Sequence, residues 1–175
     1  MKRTRKGFTL VEMLVVVAIL ATLATSLTIS FGSSSASAKA ASIAANIDTC
    51  MTAAKLYLAD NINTVTATSK AADFLEPTGT ATVYVPNWEK MKGTGGTIVY
   101  AAGTGTGITS KTYDTTKGWD MTVTITAADK KDIITALKKV KGYEGLDDAN
   151  DDATKAYTIT IKLLDGTATG KQATE

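Results

Sequence analysis

The chain has 175 residues, a formal net charge of +2 and 44% hydrophobic residues, which suits one domain of ordinary size. It contains no histidine, which removes the commonest general base and metal ligand, and its single cysteine, Cys50, excludes an intrachain disulfide. Four of the 19 Lys and Arg lie in residues 2–6, so the rest of the chain carries 15 cations against 17 Asp and Glu and offers no basic field for nucleic acid.

Residues 1–31 have the pattern of a membrane-spanning helix with a basic flank. Four cations precede Gly7, and the run 8–31 that follows carries one charge, Glu12. As a helix, these roughly 24 residues would extend about 36 Å, enough to cross a hydrocarbon core of ~30 Å. Because a cationic flank stays on the cytoplasmic side, we predict a single transmembrane span with the C-terminal part of the chain outside.

Two simpler interpretations of this segment compete. A secretory signal peptide needs an apolar region of about 7–15 residues followed by a small-residue cleavage site. Here the apolar run is longer and Gly7 precedes it. A plain membrane anchor fits the length but leaves Glu12 unexplained, because a carboxylate inside an apolar run costs about 2.5–3.5 kcal/mol on insertion scales. A charge retained at that cost indicates a function.

The sequence Gly7-Phe8-Thr9-Leu10-Val11-Glu12 resembles the class III leader and cleavage motif of type IV pilins and pseudopilins. The resemblance covers about the first 60 residues. It implies that a prepilin peptidase cuts between Gly7 and Phe8 and methylates the new amine of Phe8. It also implies that Glu12 pairs with the Phe8 amine of a neighbouring subunit in a filament.

Physical chemistry supports such a pairing independently. An amine and a carboxylate in apolar surroundings each carry a large desolvation penalty, and leaving one of them alone is worse than burying both together. The resemblance therefore implies a homo-oligomeric helical filament, built by inner-membrane assembly machinery. Before assembly the chain would lie in the cytoplasmic membrane as a single-pass protein, and afterwards in a filament at the cell surface.

Three functional classes stay open on the sequence alone. The first is a structural subunit of a type IV pilus, which would serve adhesion or motility. The second is a pseudopilin of a type II secretion or DNA-uptake system. The third is a membrane-tethered binding protein that never polymerises. Glu12 does not separate the first two classes.

The fold implied is α+β, with a long N-terminal helix packed on an antiparallel sheet. In 36–60 apolar residues recur every three or four positions, which predicts a helix with one buried stripe. A helix from Phe8 to about Ala59 would be ~78 Å long. We divide the chain into a leader (1–7), a transmembrane or filament-core helix (8–31), the amphipathic half of that helix (32–60) and a globular head (61–175). The stripe residues are Ile43, Ile47, Cys50 or Met51, Ala54 and Tyr57 or Leu58.

The first part of the head reads as a short helix and then strands. We predict the helix around Lys70–Leu75, before Pro77. Residues 119–126 alternate strictly between apolar residues and Thr or Asp, which predicts a half-buried strand. Together with three weaker candidates it predicts a meander of three or four strands over 82–126. The weaker candidates are Thr82–Val85, Thr97–Ala101 and Ile108–Tyr113.

The second part of the head predicts one more helix and one more main strand. Thr126–Asp129 resembles a capping box that opens a helix over about 127–141, with Gly142 after its end. The lysines of this helix are interpreted as a solvated face. Tyr157–Leu163 alternates strictly and predicts a strand, and Asp165-Gly166 predicts a turn. The lysines in question are Lys130, Lys131, Lys138, Lys139 and Lys141.

An acidic segment before the last main strand is a weak candidate for Ca²⁺. Asp148, Asn150 and Asp152 offer oxygen atoms at alternate positions, as a hard cation prefers. The segment lacks the Gly and Glu of an EF-hand loop, which excludes that motif. It resembles the arrangement of the main type II secretion pseudopilin, which has a Ca²⁺ loop near its C-terminus. A solvated acidic turn is the simpler interpretation, and we expect no cofactor.

No arrangement of residues in the sequence predicts catalysis. The glycine-rich segment 93–107 lacks the Gly-Lys-Ser/Thr that closes a phosphate-binding loop. Neither a Ser/His/Asp nor a Cys/His pattern can form without histidine. Cys50 lies among alanines and is interpreted as a small packing residue. We therefore expect a structural protein and not an enzyme.

Overall fold

A computed structural model describes residues 10–61, 63–65, 69–76, 81–92, 97–103, 118–150, 152 and 154–173, with the side chains of 24–33 excepted. The chain divides into two units, Met1–Ser35 and Ala36–Glu175. The helices are α1 (Leu10–Asp60), α2 (Ala72–Leu75), α3 (Trp88–Met91) and α4 (Lys130–Leu137), and the strands are β1 (Ile98–Ala102), β2 (Asp120–Ile125), β3 (Tyr157–Lys162) and β4 (Ala168–Gln172).

The long helix α1 confirms the first element of the predicted α+β fold. In its second half, residues spaced three or four apart are buried and belong to the core of the head. This spacing places them on one side of the helix, as the sequence pattern predicts. The buried residues of this stripe are Ala36, Ala40, Ile43, Ile47, Cys50 and Ala54.

The sheet has four antiparallel strands in the order β1-β2-β3-β4. The two central strands alternate as predicted, because Val123 of β2 stands opposite Ile159 of β3 and both are fully buried. Their outward neighbours are threonines of intermediate exposure. The buried sides of β2 and β3 and the stripe of α1 form one hydrophobic core, which confirms the α+β fold.

The predicted strand at 82–85 is wrong. Tyr84 donates its hydroxyl to the carboxylate of Asp60 at 3.1 Å, and the Val85 carbonyl accepts the amide of Trp88 in a turn at 3.1 Å. Pro86 has no amide hydrogen for a ladder. Tyr84 therefore contacts the end of α1, and Val85 is buried in the core of the head, instead of pairing in the sheet.

The predicted meander over 82–126 is also wrong in its extent. Of the described residues in that range, only those of β1 and β2 form strands, and the sheet is completed by β3 and β4 after α4. The candidate strand Ile108–Tyr113 lies outside the described residues. The prediction for 97–101 is confirmed by β1, one residue shifted.

Helix α4 is shorter than predicted, and the capping box is wrong. The amide of Thr126 donates to the carbonyl of Thr97 at 2.8 Å, and its hydroxyl donates to the same oxygen at 3.4 Å. Thr126 thus continues the β1–β2 ladder and does not cap a helix. The residue before the helix is Asp129, whose carboxylate accepts the Lys39 ammonium at 2.7 Å and makes no capping bond. Residues 138–142 form turns, and Gly142 has a φ of 97°.

One lysine of α4 contradicts the predicted solvated face. The side chain of Lys130 is 1% exposed, and its ammonium donates to the backbone carbonyl of Asp152. The hydrogen bond satisfies a group that would otherwise be costly to bury. Lys131 and Lys139 are exposed as predicted.

The last hairpin confirms the predicted strand and turn. β3 matches the predicted strand to within one residue, and the chain reverses at Asp165-Gly166, where Gly166 has a φ of 79°. The Asp165 carboxylate accepts the amide of Thr167 at 2.8 Å, as in an Asx turn. The positive φ is what favours glycine here, because an added Cβ would come within 3 Å only of Met51 Cε, the end of a flexible side chain that can move aside.

Candidate functional site

The first described segment, Leu10–Leu23, exposes every large apolar side chain that it contains. Its ten Leu, Val, Ile and Met side chains are between 45% and 80% exposed. The five consecutive residues 13–17 belong to this set, and successive residues of a helix point 100° apart. The segment is therefore apolar around its whole circumference and has no single buried stripe. Helices that are apolar all round are usually buried, in a protein core or in a membrane.

Glu12 is the acidic residue of the first turn of α1, and it is exposed. The other two predicted site residues, Gly7 and Phe8, lie outside the described residues. The predicted pairing of Glu12 with a Phe8 amine of another subunit stays a prediction.

No helix in the part of the chain that the structure describes is both long and apolar enough to cross a membrane. The predicted span over 8–31 includes residues outside that part, and it stays a prediction.

The three oxygen-bearing residues of the candidate Ca²⁺ segment make hydrogen bonds within the head. Asp148 accepts the Lys138 ammonium at 2.6 Å, and this bond and charge hold the pKa of its carboxyl below the usual range. Asn150 accepts from the amide of Asp152 at 3.0 Å. Asp152 accepts from the hydroxyl and the amide of Thr154, which lowers the pKa of its carboxyl.

The same segment is also tied to its neighbours by two further side chains. The Gln172 side-chain amide donates to Asn150 Oδ1, and the Lys130 ammonium donates to the Asp152 carbonyl. Among the described residues, no group of three or more His, Cys, Asp or Glu is placed to hold a metal ion. Ca²⁺ binding stays a prediction, with a hydrogen-bonded acidic turn as its alternative.

Cys50 is buried in the core, as its interpretation as a packing residue predicts. Burial raises the pKa of its thiol to about 12. A thiol of that pKa carries almost no thiolate at neutral pH, and the thiolate is the nucleophile of cysteine chemistry.

A groove in the head was not predicted from the sequence. It has a volume of about 390 Å³ and lies between residues 39–46 of α1, residues 87–91 at α3, and β1. Asn46 of α1 donates to the hydroxyl of Tyr100 of β1 at 3.0 Å across its wall. These residues are separated by dozens of positions in the chain, so no local sequence pattern could have predicted that they lie together.

The comparisons with known proteins agree with the motif at the N-terminal end. The family model for the prokaryotic N-terminal methylation motif matches residues 2–28. Neither the curated proteins nor the solved structures contain a match to the chain. The matched range includes Gly7, Phe8 and Glu12 and extends over the exposed apolar part of α1. At residues 2–28 the chain thus carries the class III prepilin leader that type IV pilins and pseudopilins share.

Proposed function

We propose that this protein is the structural subunit of a type IV pilus, assembled into a helical filament through the N-terminal half of α1. The observation that supports this most is the apolar circumference of Leu10–Leu23 directly after a prepilin leader. In a filament, neighbouring copies of this segment would cover one another. Exchange of lipid for other helices costs little hydrophobic energy, so packing and specific polar pairs would decide association.

The proposed processing and location follow from the leader. A prepilin peptidase would cut between Gly7 and Phe8 and methylate the Phe8 amine. The precursor would wait in the cytoplasmic membrane with its head outside, and inner-membrane assembly machinery would then transfer it to a surface filament. The protein would act as a building unit and not as an enzyme, in line with the prepilin-type structural proteins that share its leader.

The Phe8 amine and the Glu12 carboxylate would be removed from water together inside the filament. Breaking a buried ion pair by removing one partner costs about 3–5 kcal/mol. We expect Glu12→Leu to leave membrane insertion and cleavage intact and to reduce the yield of sheared filaments by at least about tenfold. The measurement is electron microscopy of sheared surface material, with mass spectrometry of its N-terminus.

Val11→Ala is the matched control, because it changes the neighbouring side chain and keeps the charge. Filament yield from Glu12→Leu equal to that from Val11→Ala would contradict the charge pairing. A native polypeptide that still begins at Met1 would contradict the whole proposal.

The second candidate function is a pseudopilin of a type II secretion or DNA-uptake system. It shares the leader and Glu12, so the same features favour it. The microscopy separates the two candidates. Long filaments composed of this chain support a pilus, and their absence at native expression, with a processed N-terminus at Phe8, supports a pseudopilin.

A further inference from the structure

We propose that the groove between α1, α3 and β1 binds an acidic sugar, such as a uronic acid unit of a surface polysaccharide. The groove belongs wholly to the unit Ala36–Glu175, and it is separate from the apolar segment that the proposed function uses. Its volume of about 390 Å³ lies within the usual range for small-ligand sites, roughly 300–1,000 Å³.

The charged residues of the groove favour an anion. Lys39 and Lys90 are among the lining residues, and none of the described residues that line the groove is acidic. Lys39 is already paired with Asp129 at 2.7 Å, outside the lining. Lys90 is exposed on α3 and makes no ion pair with a described residue, so it is the cation available to a ligand carboxylate.

The neutral polar groups of the groove suit the hydroxyls of a sugar. Ser42, Asn46 and Asn87 supply one hydroxyl and two side-chain amides. Tyr100 accepts a hydrogen bond from Asn46 at 3.0 Å, so its own hydroxyl hydrogen remains available to donate. A phenol is protonated at neutral pH, and burial raises the pKa of Tyr100 further. Amides and hydroxyls both donate and accept, as the hydroxyls of a sugar require.

The remaining wall of the groove is apolar. Met91 and Ile98 are half-buried and supply the accessible apolar surface of the lining. A pyranose ring has C–H groups on its faces, which can cover such a surface while the hydroxyls at its edge bind polar groups. Inorganic phosphate has no such face, and a simple carboxylate lacks the ring of hydroxyls. The combination therefore favours an acidic sugar over an ion recognised by charge alone.

The test is a titration of the full unassembled chain in a detergent whose headgroup is not a sugar, followed by NMR and calorimetry. For sodium glucuronate, a ligand of 13 heavy atoms, we expect a Kd on the order of 1 mM. Glucose should bind at least about tenfold more weakly, because it lacks the carboxylate that Lys90 would bind. Inorganic phosphate and N-acetylaspartate should also bind at least about tenfold more weakly, because they lack the sugar ring.

Two variants locate the site. Lys90→Gln should weaken glucuronate binding about tenfold, whereas Lys55→Gln removes the same charge from an exposed position of α1 outside the groove and should change nothing. Asn87→Ala, also at an exposed position, should weaken binding without a change of charge. Tryptophan fluorescence of each variant checks that the head is folded.

Several outcomes would overturn the proposal. They are no saturable binding of glucuronate, equal affinity for phosphate or N-acetylaspartate, and equal losses in Lys90→Gln and Lys55→Gln. The titration uses the unassembled chain, so a failure here is distinct from a failure to form filaments.

Discussion

The two halves of α1 are one continuous helix but differ in what surrounds them. In Leu10–Leu23 every large apolar side chain is at least 45% exposed, whereas in the second half Ile43 and Ile47 are fully buried against the head. The difference lies in the distribution of apolar residues: around the whole circumference in the first segment and along one stripe in the second. The helical pattern of apolar residues thus distinguishes the segment whose side chains are buried by the head from the segment whose side chains are exposed.

The largest expected effect tests where the stability of the head originates. Ile47→Ala should lower the free energy of unfolding of the head by about 2–5 kcal/mol, because it opens a cavity at a fully buried site. The measurement is urea unfolding of the full chain in detergent. Tryptophan fluorescence reports on the head alone, because Trp88 and Trp119 are both buried there.

Leu14→Ala is the control for this comparison, since it truncates a side chain that is 62% exposed in the first half of α1. It should leave the free energy of unfolding of the head unchanged within about 0.5 kcal/mol. A loss of head stability from Leu14→Ala as large as that from Ile47→Ala would contradict the division of α1 into two differently supported halves.

A smaller effect is expected at the one buried lysine among the described residues, Lys130. Lys130→Met keeps most of the volume and removes the hydrogen bond to the Asp152 carbonyl. The hydrogen bond from a charged donor contributes about 1.5–3 kcal/mol to stability. Its loss is partly offset because the variant no longer has to bury an ammonium group. We expect a net loss of about 1 kcal/mol in the same urea experiment.

Lys139→Met is the matched control for Lys130, because Lys139 lies beyond the end of the same helix and is exposed. It should change the stability by less than about 0.5 kcal/mol. Equal effects of the two substitutions would show that the hydrogen bond of Lys130 makes no net contribution to the free energy of unfolding.

The smallest expected effect concerns Ca²⁺ at the acidic segment. One oxygen each of Asp148, Asn150 and Asp152 already accepts a hydrogen bond from the head, so an added cation would have to compete with these bonds. We expect thermal midpoints with Ca²⁺ and with chelator to agree within about 1 °C. A cation at 100 times its Kd would stabilise by about 2.7 kcal/mol and raise the midpoint by roughly 5–10 °C, which would instead establish the site.

Local periodicity accounts for the elements that the sequence predicted well. β2 and β3 alternate between buried apolar residues and threonine, and the stripe of α1 repeats at helical spacing. In each case the pattern reflects burial against one partner surface, which a single segment reveals by itself. The leader motif could be recognised for a different reason, because its residues are adjacent in the sequence and do not depend on the fold.

The wrong predictions have a different physical cause. Thr82–Val85 has a strand composition, but its Tyr84 contacts Asp60 at the end of α1, and Thr126 continues a ladder with Thr97 where a cap was predicted. The burial of Lys130 and the groove at Lys90 likewise depend on segments far apart in the chain. Contacts of this kind leave no periodic trace in any one segment.

The strand order has a consequence for how the head forms. Each strand pairs with the one that precedes it in the chain, so the sheet consists of successive sequence neighbours. Contacts between sequence neighbours close with less entropy loss than distant pairings and favour rapid folding. The sheet of the head can therefore form strand by strand, with each new strand added beside the one that precedes it in the chain.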